Sequence, residues 1–92
     1  MSLTHVDGRD AGKVTLYALS TCIWCRKTRN LLDELGIAYD YEYVDLLQGN
    51  ARTQAMNIVK KWNPDCSFPT LVVGDRCIAG FKENEIRETF KE

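Results

Sequence analysis

Apolar and polar positions change rhythm several times along the chain, and each change marks an element. Val14-Thr15-Leu16-Tyr17-Ala18-Leu19 is rich in β-formers and predicts a buried strand. Ser20-Thr21 follows as a turn and helix-start signal. From Cys22 or Ile23 the period becomes helical. Leu31, Leu32 and Leu35 share a face, Thr28 lies behind them, and Arg26, Lys27, Asn30, Asp33 and Glu34 take the rest. Gly36 is a natural stop for this helix. Ile37 to Asp45 alternates aromatic and acidic residues with period two and so predicts a strand. Strand, helix and strand within about 30 residues predict a parallel βαβ unit.

The second half reads differently. A loop at Gln48-Gly49-Asn50, with Asn50 as the expected cap, leads into a helix that ends near Trp62. Its predicted apolar face is Ala51, Ala55, Ile58, Val59 and Trp62, with Trp62 as packing, and Asn63-Pro64-Asp65 ends it. Phe68 to Val73 and Arg76 to Ala79 are short apolar runs joined by Gly74-Asp75, a hairpin signal. Gly80 breaks the second run. Glu83 to Phe90 closes the chain as a helix, with Glu83 and Glu85 at its positive end and Lys91 at its negative end. The order β-α-β-α-β-β-α predicts an α/β domain over residues 14–92, a four-stranded mixed sheet flanked by three helices. Residues 1–13 carry two glycines, mixed charge and no periodicity, and are expected to be a flexible leader.

Composition narrows the possible functions. At 92 residues the chain has apolar material for one core, not two. A net charge of −1 offers no basic footprint for nucleic acid or an anionic membrane, so neither is expected as a partner. Apolar runs such as Leu71-Val72-Val73 fall far short of the ~20 residues of a membrane span. The polar N-terminus lacks a signal-peptide core, which makes the expected compartment the cytoplasm.

In such a reducing compartment the four cysteines, Cys22, Cys25, Cys66 and Cys77, are read by position rather than as staples. Cys22-Ile23-Trp24-Cys25 stands where the first strand meets the first helix. A helix N-terminus offers partial positive charge and unpaired N–H groups to a thiolate. Arg26, Lys27 and Arg29 add positive charge nearby. The i, i+3 spacing puts both sulfurs on one face of the first turn. The expected chemistry is dithiol exchange, with Cys22 as nucleophile and Cys25 as resolving thiol. A structural CxxC or half of a zinc site is the other reading. Zinc usually takes two closely spaced ligand pairs, whereas Cys66 and Cys77 lie far off with ten residues between them, so no metal is expected. Cys77 is expected to be a buried small hydrophobe, and Cys66 a free loop thiol near the site. Trp24 is expected to shape partner access, while Tyr39, Tyr41 and Tyr43 form the face of a strand.

Ser67-Phe68-Pro69-Thr70 adds a proline at a strand start or cis turn. With Val14-Thr15-Leu16-Tyr17, the CxxC, Ser67-Phe68-Pro69 and the Gly80-Phe81 turn, the chain resembles the glutaredoxin family, a branch of the thioredoxin fold, over about residues 14 to 91. The resemblance implies a cis Pro69 beside Cys22 and a Phe68 backbone that pairs with bound thiol substrate. It implies substrate contacts from Trp24, Phe68, Pro69, Gly80 and Phe81, no bound cofactor, and a monomer serving cell redox homeostasis and electron transport. Protein or small-molecule disulfides are the implied substrates, and glutathione or another small thiol is the implied donor.

Three departures bear on the donor. Ile23 and Trp24 stand where the family commonly has Pro and Tyr; Leu19 replaces a frequent lysine; Ala79-Gly80-Phe81-Lys82-Glu83 replaces the usual Gly-Gly-x-Asp-Asp. The Gly-Phe-basic run is similar to redoxins that serve ribonucleotide reductase and are reduced by thioredoxin reductase, a flavoprotein. That is the alternative within redox chemistry. An iron–sulfur or metal carrier is the alternative from another class, although its usual site has a single cysteine.

Overall fold

In the computed structural model, which describes residues 3–91, the central strand is the one whose sequence is apolar without a break. This strand, β2 (Val14–Ala18), is buried at all five positions because both of its faces are covered. β1 (Thr4–Val6) precedes it, and α1 (Ile23–Leu35), β3 (Tyr39–Tyr43), α2 (Gly49–Trp62), β4 (Thr70–Val73), β5 (Arg76–Ala79) and α3 (Glu83–Thr89) follow. A short 3-10 turn, Val44–Leu46, links β3 to α2.

The sheet runs β1-β3-β2-β4-β5. β2 pairs parallel with β3 and antiparallel with β4, and β4 and β5 form the antiparallel hairpin. This is the expected α/β architecture with one strand more: five, not four. The added strand lies in the stretch read as a flexible leader. Thr4–Val6 pairs antiparallel with Tyr41–Tyr39, and Arg9 bridges to Ile37. Three residues show no period long enough to detect, yet an unpaired β3 edge supplies the ladder that orders them. Met1, Ser2 and Glu92, at the ends of the expected leader and domain, lie outside the described residues.

Side-chain alternation on β2 divides the core. Val14, Leu16 and Ala18 pack with Leu31, Leu32, Ile86 and Phe90 of the α1 and α3 layer. Tyr17 packs on the other face with Ala55 and Val59 of α2. Gly36 takes the left-handed conformation (φ 69°) that ends α1, as its position predicted.

Three local expectations change. α2 starts at Gly49 with Gln48 as its cap residue, two residues earlier than the Asn50 cap predicted, and no side chain caps it. Helix α1 is capped by Cys22, not by Ser20 or Thr21. Trp62, read as packing, is 37% exposed, because α2 covers only part of its sheet face and Trp62 lies at the helix end.

Candidate active site

The chain leaves β2 and enters α1 through Ser20, Thr21 and Cys22. Cys22 has extended backbone (φ −89°, ψ 119°), as an N-cap must, and its own side chain accepts the Cys25 N–H. That Sγ–N distance is 3.2 Å. The Cys22 N–H donates back to the Leu19 carbonyl at 3.2 Å, which fixes the entry turn. One of the orphan amides of the helix start is therefore spent on sulfur.

Cys25 stands one turn further on and is 1% exposed, whereas Cys22 is only partly covered. Its Sγ accepts the Leu19 N–H at 3.5 Å. Burial pushes the Cys25 thiol up to about 12, and the hydrogen bond to the Cys22 sulfur adds to that, while the Leu19 amide opposes it. Asp45 contributes in the same upward sense. Asp45 accepts both the Ser20 N–H (2.8 Å) and the Ser20 hydroxyl (2.5 Å), and these bonds hold its carboxyl below the usual range. The arrangement presents one thiol at a helix N-terminus and keeps the other protonated beneath it. Both are free, as are Cys66 and Cys77.

The second wall is the turn before β4. The Phe68–Pro69 peptide bond is cis, as the resemblance implied. Phe68 bridges the two core clusters. Polar bonds hold this turn from behind. The buried Asn63 amide reaches the Ser67 carbonyl (3.0 Å), the Ser67 Oγ (3.0 Å) and the Thr70 Oγ1 (3.1 Å). The Thr70 hydroxyl donates to the Ser67 carbonyl at 2.7 Å. Gly80 donates its N–H to the Pro69 carbonyl at 2.8 Å and has φ 86°, a conformation that favours glycine. Gly80 thereby ties the end of β5 to Pro69.

Phe81 follows and stacks on Trp24, with ring centroids 6.0 Å apart and planes at 26°. Trp24 is 52% exposed, as expected of a residue between the cysteines. Lys27 sits over the Trp24 ring, 4.8 Å from its centroid. Arg29 does not join it. Its guanidinium lies 3.9 Å from the Tyr41 ring centre and donates to the Tyr39 and Tyr43 hydroxyls, so its charge serves the strand face. The structure thus joins Trp24 to Phe81 and Gly80 to Pro69.

Cys66 lies outside these contacts, in a left-handed turn (φ 52°) with its N–H on the Asn63 carbonyl. Cys77 is half-buried rather than fully so, because it sits on the outer strand β5; burial still raises its thiol. Among the described residues, no three His, Cys, Asp or Glu side chains converge as a metal site. The sequence reading missed Asp45, Asn63, Thr70 and the position of Lys27. Asp45 bonds a residue 25 positions away, a contact without local signal. Asn63 had one: an asparagine before proline at a helix end is suited to bonding the following turn.

A mixed sheet with helices on both faces, a cis-proline turn and a CxxC at a helix start define a thioredoxin-fold protein with a dithiol site. A family model for glutaredoxins matches residues 14–78. The chain is 48% identical to a glutaredoxin of Methanosarcina mazei Go1 of known structure, at a TM-score of 0.90 covering 98% of this chain and 88% of that one. It is 44% identical to the methanoredoxin of Methanosarcina acetivorans, at a TM-score of 0.89 covering 92% and 90%. It is also 29% identical over 70 residues to the Glutaredoxin-1 of Bos taurus, a match covering 75% of this chain and 66%, just under two thirds, of the bovine protein. The chain belongs to the glutaredoxin family.

Proposed function

We propose that this protein is a dithiol–disulfide oxidoreductase in which Cys22 attacks and Cys25 resolves. The observation that carries the reading is the asymmetry of the pair. Cys22 is partly exposed and capped by an amide N–H, while Cys25 is buried with its thiol pushed up to about 12.

The Cys22 thiolate attacks one sulfur of a substrate disulfide, and the departing thiolate takes up a proton. Cys25 then loses its proton and attacks the Cys22 sulfur, which releases the second substrate thiol. Two electrons pass to the substrate, and the protein is left with a Cys22–Cys25 disulfide. Two equivalents of a low-molecular-weight thiol reduce that bond and leave as their own disulfide. Phe68 and Pro69 align the substrate, and Trp24, Gly80 and Phe81 border it. The protein works in the cytoplasm as a monomer, on protein or small-molecule disulfides.

Cys22→Ser is expected to abolish reduction of a model disulfide, and Cys25→Ser to accumulate a mixed disulfide at Cys22, seen as an adduct by intact mass. Full activity in Cys22→Ser would refute the reading. The donor is decided by supplying glutathione with glutathione reductase in one assay and thioredoxin reductase in another. Turnover with the flavoprotein alone would replace the small thiol by that reductase.

A further inference from the structure

Beside the dithiol lies a cation whose charge is not committed to an acid. Lys27 is held over the Trp24 ring at 4.8 Å, and among the described residues it has no carboxylate partner. Trp24 stacks on Phe81. Behind this pair opens a cleft of about 240 Å³, lined by Lys27, Asn30, Glu34, Phe81, Glu83 and Arg87. Arg87 is already neutralised there, by Glu34 at 2.7 Å and Glu83 at 2.9 Å. The lining's two acids and two cations balance in number, but both carboxylates lie on Arg87, so Lys27 is the lining cation that makes no ion pair among the described residues. Asn30, at i+3 on the same face, adds a side-chain amide without a partner among the described residues.

We propose that Lys27 is a specificity-determining residue. With Trp24 and Phe81 it receives an acidic side chain of a polypeptide substrate, two or three residues from the disulfide-bonded cysteine. The proposal rests on the reading of Cys22 as the attacking thiol. Reach sets the spacing. From Cys22 to Lys27 is five residues, about 7.5 Å along the helix at about 1.5 Å each. Two residues of extended substrate span about 7 Å. The ring contact also restrains the lysine before the substrate arrives, which lowers the ordering cost of binding.

The test uses the reduced full chain and symmetric disulfides of two pentapeptides. Each has one cysteine and, two residues later, glutamate in one and lysine in the other. Second-order rate constants are read from the peptide thiol released in a single turnover. At low ionic strength the glutamate peptide should react about fivefold faster, the upper end for an exposed ion pair. Lys27→Gln should erase that preference by slowing the glutamate peptide, and Lys27→Arg should retain it. Molar salt, with a screening length of about 3 Å, should erase it as well. Equal rates for the two peptides with the unaltered protein would overturn the proposal alone. So would an equal loss of preference in Arg26→Gln, which changes net charge by the same amount. Failure to reduce either peptide would overturn the dithiol reading, and this proposal with it.

Discussion

Protonation of the buried Cys25 thiol gives the stability of the reduced protein a specific pH dependence. Cys25 titrates near 9.0 when unfolded and at about 12 in the folded protein, chiefly because it is buried. A raised acid is favoured in its neutral form by the native state. Its contribution is complete below the unfolded value and is lost as pH rises toward the folded one. Between those values the unfolded chain releases a proton that the folded chain keeps, and stability falls by about 1.4 kcal/mol per pH unit. From pH 8 to pH 10 the loss is about 1.4 kcal/mol, since half of that range lies below the unfolded value. At an m-value of ~1 kcal/mol/M this moves the urea midpoint by roughly 1 M. Tyr17, Tyr39 and Cys77 are also raised by burial and act in the same direction, so Cys25 must be isolated by difference. The comparison is the wild type against Cys25→Ala, both held reduced by a phosphine. At pH 8 the variant is less stable by the packing it has lost. At pH 10 the gap should narrow by about 1.4 kcal/mol, because the variant has no Cys25 proton to lose. A gap constant from pH 8 to pH 10 would mean that Cys25 is not held protonated by its burial.

Other consequences follow from the groups around the two sulfurs. Thr70→Val removes a hydroxyl that donates to the Ser67 carbonyl and accepts from Asn63, all behind the cis turn. It should cost about 1–3 kcal/mol in urea unfolding, and an unchanged midpoint would show the network to be dispensable. Asp45→Asn removes a negative charge that raises Cys25, so in a Cys22→Ser background it should speed iodoacetamide labelling of Cys25; slower labelling would contradict the assignment. Arg87→Ala breaks two exposed ion pairs, to Glu34 and Glu83, and should change stability by less than about 1 kcal/mol.

What was legible in the sequence was whatever repeats over a local period. The unbroken apolar run at Val14–Ala18 is the strand buried on both faces, and Gly36 and Gly74-Asp75 fall where the chain turns. The edge strand Thr4–Val6 was illegible because its pairing partner, Tyr39–Tyr41, lies some 35 residues away. Its three residues carry no alternation of their own long enough to read. The acidic positions of β3 show the complementary limit. Alternation separates Glu42 from the tyrosine face, but nothing local says that its own face is covered, and Glu42 is buried with its carboxyl raised. Period reports which residues share a face; only the other layers decide whether that face is dry.

The site divides along the same line, and the division explains how the two cysteines differ. Their spacing placed them on one helical turn, yet spacing treats them alike. The difference arises because an N-cap side chain, outside the helical backbone, can turn onto an orphan amide of the first turn. Cys22 occupies the N-cap and takes the Cys25 N–H. Cys25, three residues on, must point into the α1 layer of the core, where burial holds its proton. A cap shifted back to Ser20 or Thr21 would have put both sulfurs inside the helix and removed the amide from Cys22. The distinction between the two thiols therefore lies in one residue of helix registration. That registration is held by the Cys22 N–H on the Leu19 carbonyl and the Ser20–Asp45 bonds just before it. Asp45 thus belongs to the site through the turn it anchors as well as through its charge.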